Sequence, residues 1–145
     1  MLKRMLLVMS VLSVVALAAP AATQASPEGV PPGVYLTHIT PADVPADFPP
    51  DVAAALPGTW ELEITASGVY IAHKDGQFVV FGKYVSNRRR FIMHDELGPF
   101  ACTGAGQKTG IYDWSFDGEN LILTPVHDNC AARRVPTTSH PLELQ

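Results

Sequence analysis

The stretch GTWELEITASGVYIAHKDGQFVVFGKYV, residues 58–85, decides the fold class. Trp60, Leu62 and Ile64 alternate with Glu61, Glu63 and Thr65. That period of two is what a strand with one buried face requires. Val69 to Lys74 follows and ends in Asp75-Gly76, a strong hairpin signal because both turn positions of a type I′ turn need positive φ. Gln77 to Val85 is then the returning strand. No 3.6-residue apolar period runs through any of it, so the segment reads as a β-meander.

The same grammar continues toward the C-terminus. Ser86 to Arg88 turns into a strand from Arg90 to Asp95, and a looser glycine-rich loop, Gly98 to Gly106, carries Cys102. Tyr112, Trp114 and Phe116 alternate with Ile111, Asp113 and Ser115, giving a strand with an aromatic face. Asp117-Gly118-Glu119-Asn120 is another tight turn, and Leu121 to Val126 the next strand. Arg133 to Ser139 reads as the last strand, with Pro136 tolerated at an edge.

Toward the N-terminus the composition changes. Residues 26–57 contain Pro27, Pro31, Pro32, Pro41, Pro45, Pro49, Pro50 and Pro57, and proline supplies no amide donor and fixes φ. Within them, Val34 to Ile39 is proline-free and β-prone, which predicts an edge strand. Asp51 to Leu56 predicts a short helical turn ended by Pro57-Gly58. Together these make about eight strands. Because open sheet edges invite aggregation, a meander of this length favours closure into a small antiparallel up-and-down barrel. Eight strands is also the size at which side chains just fill the interior or leave room for one small ligand.

Two cysteines in 145 residues allow one pairing, Cys102 with Cys130. A bridge fits an oxidising compartment, and the N-terminus points to the same place. Met1-Leu2-Lys3-Arg4 is a basic start, Met5 to Ala19 an apolar core, and Thr23-Gln24-Ala25 a small-x-Ala cleavage site, so residues 1–25 read as a signal peptide. The apolar run stops at Pro20, short of the ~20 residues a membrane span needs. The expected protein is therefore secreted, extracellular or periplasmic, and without a membrane span after cleavage. Its domains are a leader (1–25), a proline-rich segment (26–57) and a barrel (58–145).

Loss of the leader removes Lys3 and Arg4 and leaves 14 acidic residues against 8 basic ones. An acidic surface repels phosphate backbones, which argues against a nucleic-acid partner. Arg88-Arg89-Arg90 is the one basic cluster, and beside Asn87 it reads as a solvated turn.

Gly58-Thr59-Trp60 at the first barrel strand, preceded by a short helical turn, resembles the Gly-x-Trp motif of the lipocalins and the wider calycin superfamily. In that family a late arginine packs over the motif tryptophan, and Arg133 or Arg134 stands in the matching region. Tyr112-Asp113-Trp114 is similar to a degenerate second family motif. Gly110 to Gly118 with Leu121-x-Leu123-Thr124-Pro125 resembles small secreted bacterial proteins described as lipocalin-like. The resemblance covers Gly58 to Arg134 and implies a barrel whose lining is Trp60, Leu62, Ile64, Tyr112, Trp114, Phe116, Leu121 and Leu123. The strands here are shorter than is typical of lipocalins, at ~6–9 residues or roughly 20–30 Å. So many large rings either fill such a barrel or wall an apolar pocket.

Catalytic constellations are thin. No nucleophile elbow, phosphate-binding glycine loop or His-Glu-x-x-His occurs. His94 and Glu96 share a strand face while Asp95 points away, and His127-Asp128 lies elsewhere. Two ligands fall short of the three or four that zinc takes, so no metal is expected and the histidines read as surface groups. Some small barrels of the superfamily bind haem, which would need an inward histidine such as His73. No cofactor is otherwise implied.

The leading expectation is a secreted, non-catalytic barrel that binds a small apolar or amphipathic molecule. The alternative is a protein-interaction module, such as a secreted protease inhibitor that inserts residues 26–33 into an enzyme cleft. A third reading is an isomerase or cyclase acting inside the barrel, with Tyr70, Tyr84 or Tyr112 as its polar group. The apolar run Phe78-Val79-Val80-Phe81 leaves the protein a monomer or a homodimer.

Overall fold

The computed structural model describes residues 28–145. The signal-peptide reading of residues 1–25 lies outside them. The described chain forms a closed antiparallel barrel of eight strands in sequential order. They are β1 (Gly33–Ile39), β2 (Gly58–Ile64), β3 (Val69–Lys74), β4 (Gln77–Ser86), β5 (Arg90–Leu97), β6 (Thr109–Phe116), β7 (Asn120–Asp128) and β8 (Leu142–Leu144). Two short helices interrupt them, α1 (Pro50–Ala55) and α2 (Ala131–Thr138).

The period of two carries through to the barrel. Trp60, Leu62 and Ile64 of β2 point inward, as do Tyr70 and Ala72 of β3 and Phe91 and Met93 of β5. The Asp75-Gly76 turn has both residues at positive φ, 50° and 77°, as its composition requires. Register shifts sit between Ala72 and His73, Phe81 and Gly82, and Ile111 and Tyr112. Such bulges add the twist that a barrel wall needs.

Up-and-down order puts alternate connections at the same end. One end has tight turns at 65–68, 87–89 and 117–119; the opposite end has the two-residue Asp75-Gly76 turn and the three long connections, 40–57, 98–108 and 129–141. The 40–57 connection crosses that long-loop end as a strap. Leu56 is fully buried, and Val44, Phe48 and Val52 pack onto the core beneath it. Thr40 and Asp43 cap the first turn of the strap: the Thr40 N–H and hydroxyl both donate to the Asp43 carboxylate, at 2.8 and 2.7 Å.

Three expectations change. The eighth strand is not Arg133–Ser139, which is helical as α2; the barrel closes instead with Leu142–Leu144. Local β-propensity in Val135, Thr137 and Thr138 is overridden by a cap at Cys130, whose sulfur accepts the Arg133 N–H at 3.2 Å, and by burial of Arg133, Val135, Pro136 and Thr137. β1 is not an edge, because it pairs with both β2 and β8. The barrel therefore begins at Gly33 and takes its first strand from the proline-rich segment. Finally, Val69, Ile71 and His73 face outward, while Tyr70 and Ala72 face in. His73 lies against Phe78 and within 3.3 Å of Glu61 on the outer wall, where it cannot serve a haem inside the barrel.

Candidate functional site

The eight residues expected to line the barrel share its inner face but divide by depth. Trp60, Leu62, Ile64, Tyr112, Leu121 and Leu123 are buried. Trp114 and Phe116 are half-buried at the tight-turn end. There the Trp114 Nε1–H donates to the Asn87 carbonyl at 2.7 Å, and Phe116 meets Tyr35 edge-on. Trp60 anchors the long-loop end: its Nε1–H donates to the Leu56 carbonyl at 2.8 Å, and Phe100 packs edge-on against its ring.

The late arginines separate cleanly. Arg134 is half-buried without an ion pair, whereas Arg133 is buried between two buried carboxylates, Asp95 and Asp128. A guanidinium has five N–H donors, and all five of these are used. Nε and Nη2 donate to Asp128 at 2.9 and 2.6 Å in the bidentate geometry that suits a carboxylate. Nη1 donates to Asp95 at 2.8 Å and to the Lys108 carbonyl at 3.0 Å, and Nη2 also reaches the Gln107 carbonyl at 2.9 Å.

The carboxylates are as fully occupied. Asp95 accepts from the Tyr70 hydroxyl and from the Cys102 N–H at 2.8 Å; Asp128 accepts from the Tyr112 hydroxyl and from the Cys130 N–H at 2.8 Å. This cluster pins β3, β5, β6, β7, α2 and the 98–108 loop to one point. The Cys102–Cys130 disulfide joins the same loop to the start of α2. Asp95, Cys102 and Cys130 are also the three metal-type donors that come together among the described residues, but the two sulfurs are bonded to each other and are not free to ligate.

The spacing of Tyr70, Asp95 and Asp128 along the chain does not mark them as one site. Each aspartate stands beside a histidine, and alternation sends it to the face opposite that neighbour. The overlooked sign is glycine inside strands. A Cβ on Gly110 would sit 2.8 Å from Arg133 Nε, Asp128 Oδ2 and the Tyr112 hydroxyl, and one on Gly82 would strike the Tyr70 ring at 2.3 Å.

Between the strand walls, Phe100 and α2 there remains a cavity of about 40 Å³, walled by Trp60, Leu62, Ala72, Val80, Met93 and Leu142 among others. One water needs roughly 10–15 Å³ by such a measure, and a drug-sized ligand about 300–1,000 Å³. The interior is core with a small residual void. Burial pushes the Tyr70 and Tyr112 hydroxyls far above the ordinary phenol range, and the neighbouring carboxylates Asp95 and Asp128 push them further. They donate and do not act as bases near neutrality.

The outward histidines stay apart. His94 bonds Thr109 at 2.9 Å, and Glu96 pairs with Lys83 at 3.2 Å. His127 is exposed beside Asn129. At the long-loop end, His140 lies 2.9 Å from Asp43, and with His38 it borders an open cleft of about 550 Å³ between β1 and the start of β8. Among the described residues no helix is long and apolar enough to cross a membrane. No family model, curated protein or solved structure matches the chain.

Proposed function

We propose that this chain is an exported, non-catalytic barrel that works through its outer surface as a protein-interaction module. The observation that carries the reading is the filled interior: a 40 Å³ void beneath a polar cluster whose hydrogen-bonding capacity is already committed. A rigid core with the disulfide at its long-loop end suits a scaffold that presents a surface. The lipocalin-like resemblance fits such a barrel, with Arg133 serving the two aspartates.

In this reading the interaction surface lies elsewhere than on residues 28–33. Val30 is buried, its N–H donates to Ser86 at 3.1 Å, and the Pro31 carbonyl accepts from the Tyr35 hydroxyl at 2.8 Å. That stretch is committed to the barrel as far as it is described.

A second reading, a small apolar ligand held inside, is favoured by one feature. The residual void is walled by apolar side chains, and half-buried Phe100 forms part of its cover. Native mass spectrometry on protein secreted by its own host separates the two. The surface reading expects a mass without small-molecule adduct and a partner protein retained at low ionic strength. A small molecule released on denaturation would overturn it in favour of the carrier.

A further inference from the structure

The 98–108 loop and α2 are joined covalently by Cys102–Cys130 and, beside that bridge, by a chain of hydrogen bonds. The Cys102 N–H donates to Asp95 Oδ2 and the Cys130 N–H to Asp128 Oδ1, each at 2.8 Å. Both carboxylates are held by the one guanidinium of Arg133, Asp95 at 2.8 Å and Asp128 at 2.6 Å. Arg133 also takes the Lys108 and Gln107 carbonyls at the far end of the loop. The backbones of both cysteines are therefore tied to one side chain, with their Cα atoms 5.9 Å apart, inside the range a disulfide needs. A break between the sulfurs leaves that tie in place, and the thiols stay within reach of each other.

The two sulfurs differ in access and in surroundings. Cys102 is half-buried at the base of Thr103 to Lys108, a run exposed to solvent. Cys130 is 1% exposed, and its sulfur caps α2 by accepting the Arg133 N–H at 3.2 Å. An incoming thiolate thus reaches Cys102. Cys130 is the better-held leaving group, because N–H donors at a helix N-terminus favour the anionic sulfur. Asp95 and Asp128 lie close by, but their charge is committed to Arg133 and to the Tyr70 and Tyr112 hydroxyls. Which sulfur is attacked and which one leaves set the rate of thiol–disulfide exchange.

We propose that Cys102–Cys130 is a reversible exchange site for an external dithiol, which opens the bridge at Cys102 without unfolding the barrel. One thiolate of the dithiol attacks Cys102 Sγ; the S–S bond breaks, and its electron pair goes to Cys130 Sγ, which takes a proton from solvent. The second thiol then attacks the mixed disulfide, releases Cys102 and leaves the dithiol as its own disulfide. The chain gains two electrons and two protons, and the dithiol loses them. An external disulfide reverses the steps. The site is separate from the outer wall and does not depend on what docks there. Opening it removes the covalent anchor of the exposed loop, while the polar tie keeps the barrel closed.

The test is reduction of the folded, secreted protein by dithiothreitol at neutral pH, timed by thiol alkylation and mass spectrometry. The opening rate should change by less than about twofold as urea rises to the foot of the unfolding transition, because a local event needs no global unfolding. The near-ultraviolet signal of Trp60 and Trp114 should survive reduction, and oxidised dithiothreitol should close the bridge again. With glutathione in place of the dithiol, the mixed disulfide should map to Cys102 and leave Cys130 as the free thiol. An opening rate that climbs roughly tenfold or more with urea would make the bridge accessible only through unfolding and overturn the exchange site. Glutathione found on Cys130, or loss of the tryptophan signal as the bridge opens, would overturn it as well.

Discussion

Arg133 shows how one side chain can hold a barrel end together without being a ligand site. Its five donors are distributed over two carboxylates and two carbonyls, so an incoming anion would find no free N–H. Removing it leaves Asp95 and Asp128 buried without a counter-charge, the situation in which breaking a buried ion pair is most costly. Arg133→Met is expected to lose about 3–5 kcal/mol in urea unfolding. Arg134→Ala, one residue on and without an ion pair, should stay within roughly 1 kcal/mol of the parent. Equal losses would mean that the cluster contributes nothing specific. Gly110→Ala tests the same point from the other side, since its methyl group would press on three polar atoms of the cluster. It should destabilise by about 1–3 kcal/mol, as overpacking does. At this scale the chain was partly legible. Alternation on Trp60, Leu62 and Ile64 identified the inner wall correctly. The sequence marks Arg133 only through the Gly-x-Trp resemblance, which implies tryptophan packing and says nothing of aspartates that lie 38 and 5 residues away in sequence.

Elements were legible wherever the period of two was uninterrupted, and the hairpin signals placed their turns. The miss was α2. Val135, Thr137 and Thr138 are β-branched and Pro136 breaks helices, so local preference pointed to a strand. What folds this stretch as a helix is tertiary: Cys130 is fixed by its bridge and by Asp128, and Arg133 must reach inward from the first turn. Loss of the bridge should therefore weaken α2 and the 98–108 loop together. With the cysteines 28 positions apart in sequence, the chain-entropy account gives about 3–4 kcal/mol for the paired change Cys102→Ser with Cys130→Ser. Hydrogen exchange should locate the loss, with amides of 98–108 and 131–138 accelerated more than those of β2 and β3. Uniform acceleration would count against a local role. The short closing strand provides a companion measurement. Leu142 is 2% exposed in a strand of three residues, and Leu142→Ala should cost about 2–5 kcal/mol, with exchange fastest along the β1 edge.

For the whole molecule, four tyrosines report on how well the barrel excludes water. Burial raises all of them. Tyr35 is pushed up to about 12, first by burial and then by nearby Tyr84; Tyr84 is raised by burial alone. Tyr70 and Tyr112 rise further because each also faces a carboxylate. The neutral phenol is thus the form the folded state prefers. Above pH 10, where the unfolded chain gives up its phenolic protons, the folded chain keeps them and binds more protons than the unfolded one. Stability contributed by these groups is complete below pH 10 and falls as pH rises toward 12 and beyond. In strong denaturant all four should titrate near 10, read by phenolate absorbance at 295 nm. In the folded protein little phenolate should form at that pH. It should then appear in one cooperative step as the near-ultraviolet signal of Trp60 and Trp114 collapses. A gradual native titration with a midpoint near 10 would mean that the interior is wet. The filled core would then be wrong, and the carrier reading would regain its ground. Tyr112→Phe sharpens the outcome. It removes the proton from the Asp128 side of the cluster, so it should lower stability at neutral pH by about 1–3 kcal/mol while leaving fewer phenols to drive the alkaline collapse. A barrel that used Tyr112 as a catalytic group would place its main loss in turnover; a barrel that uses it as a strut places that loss in folding.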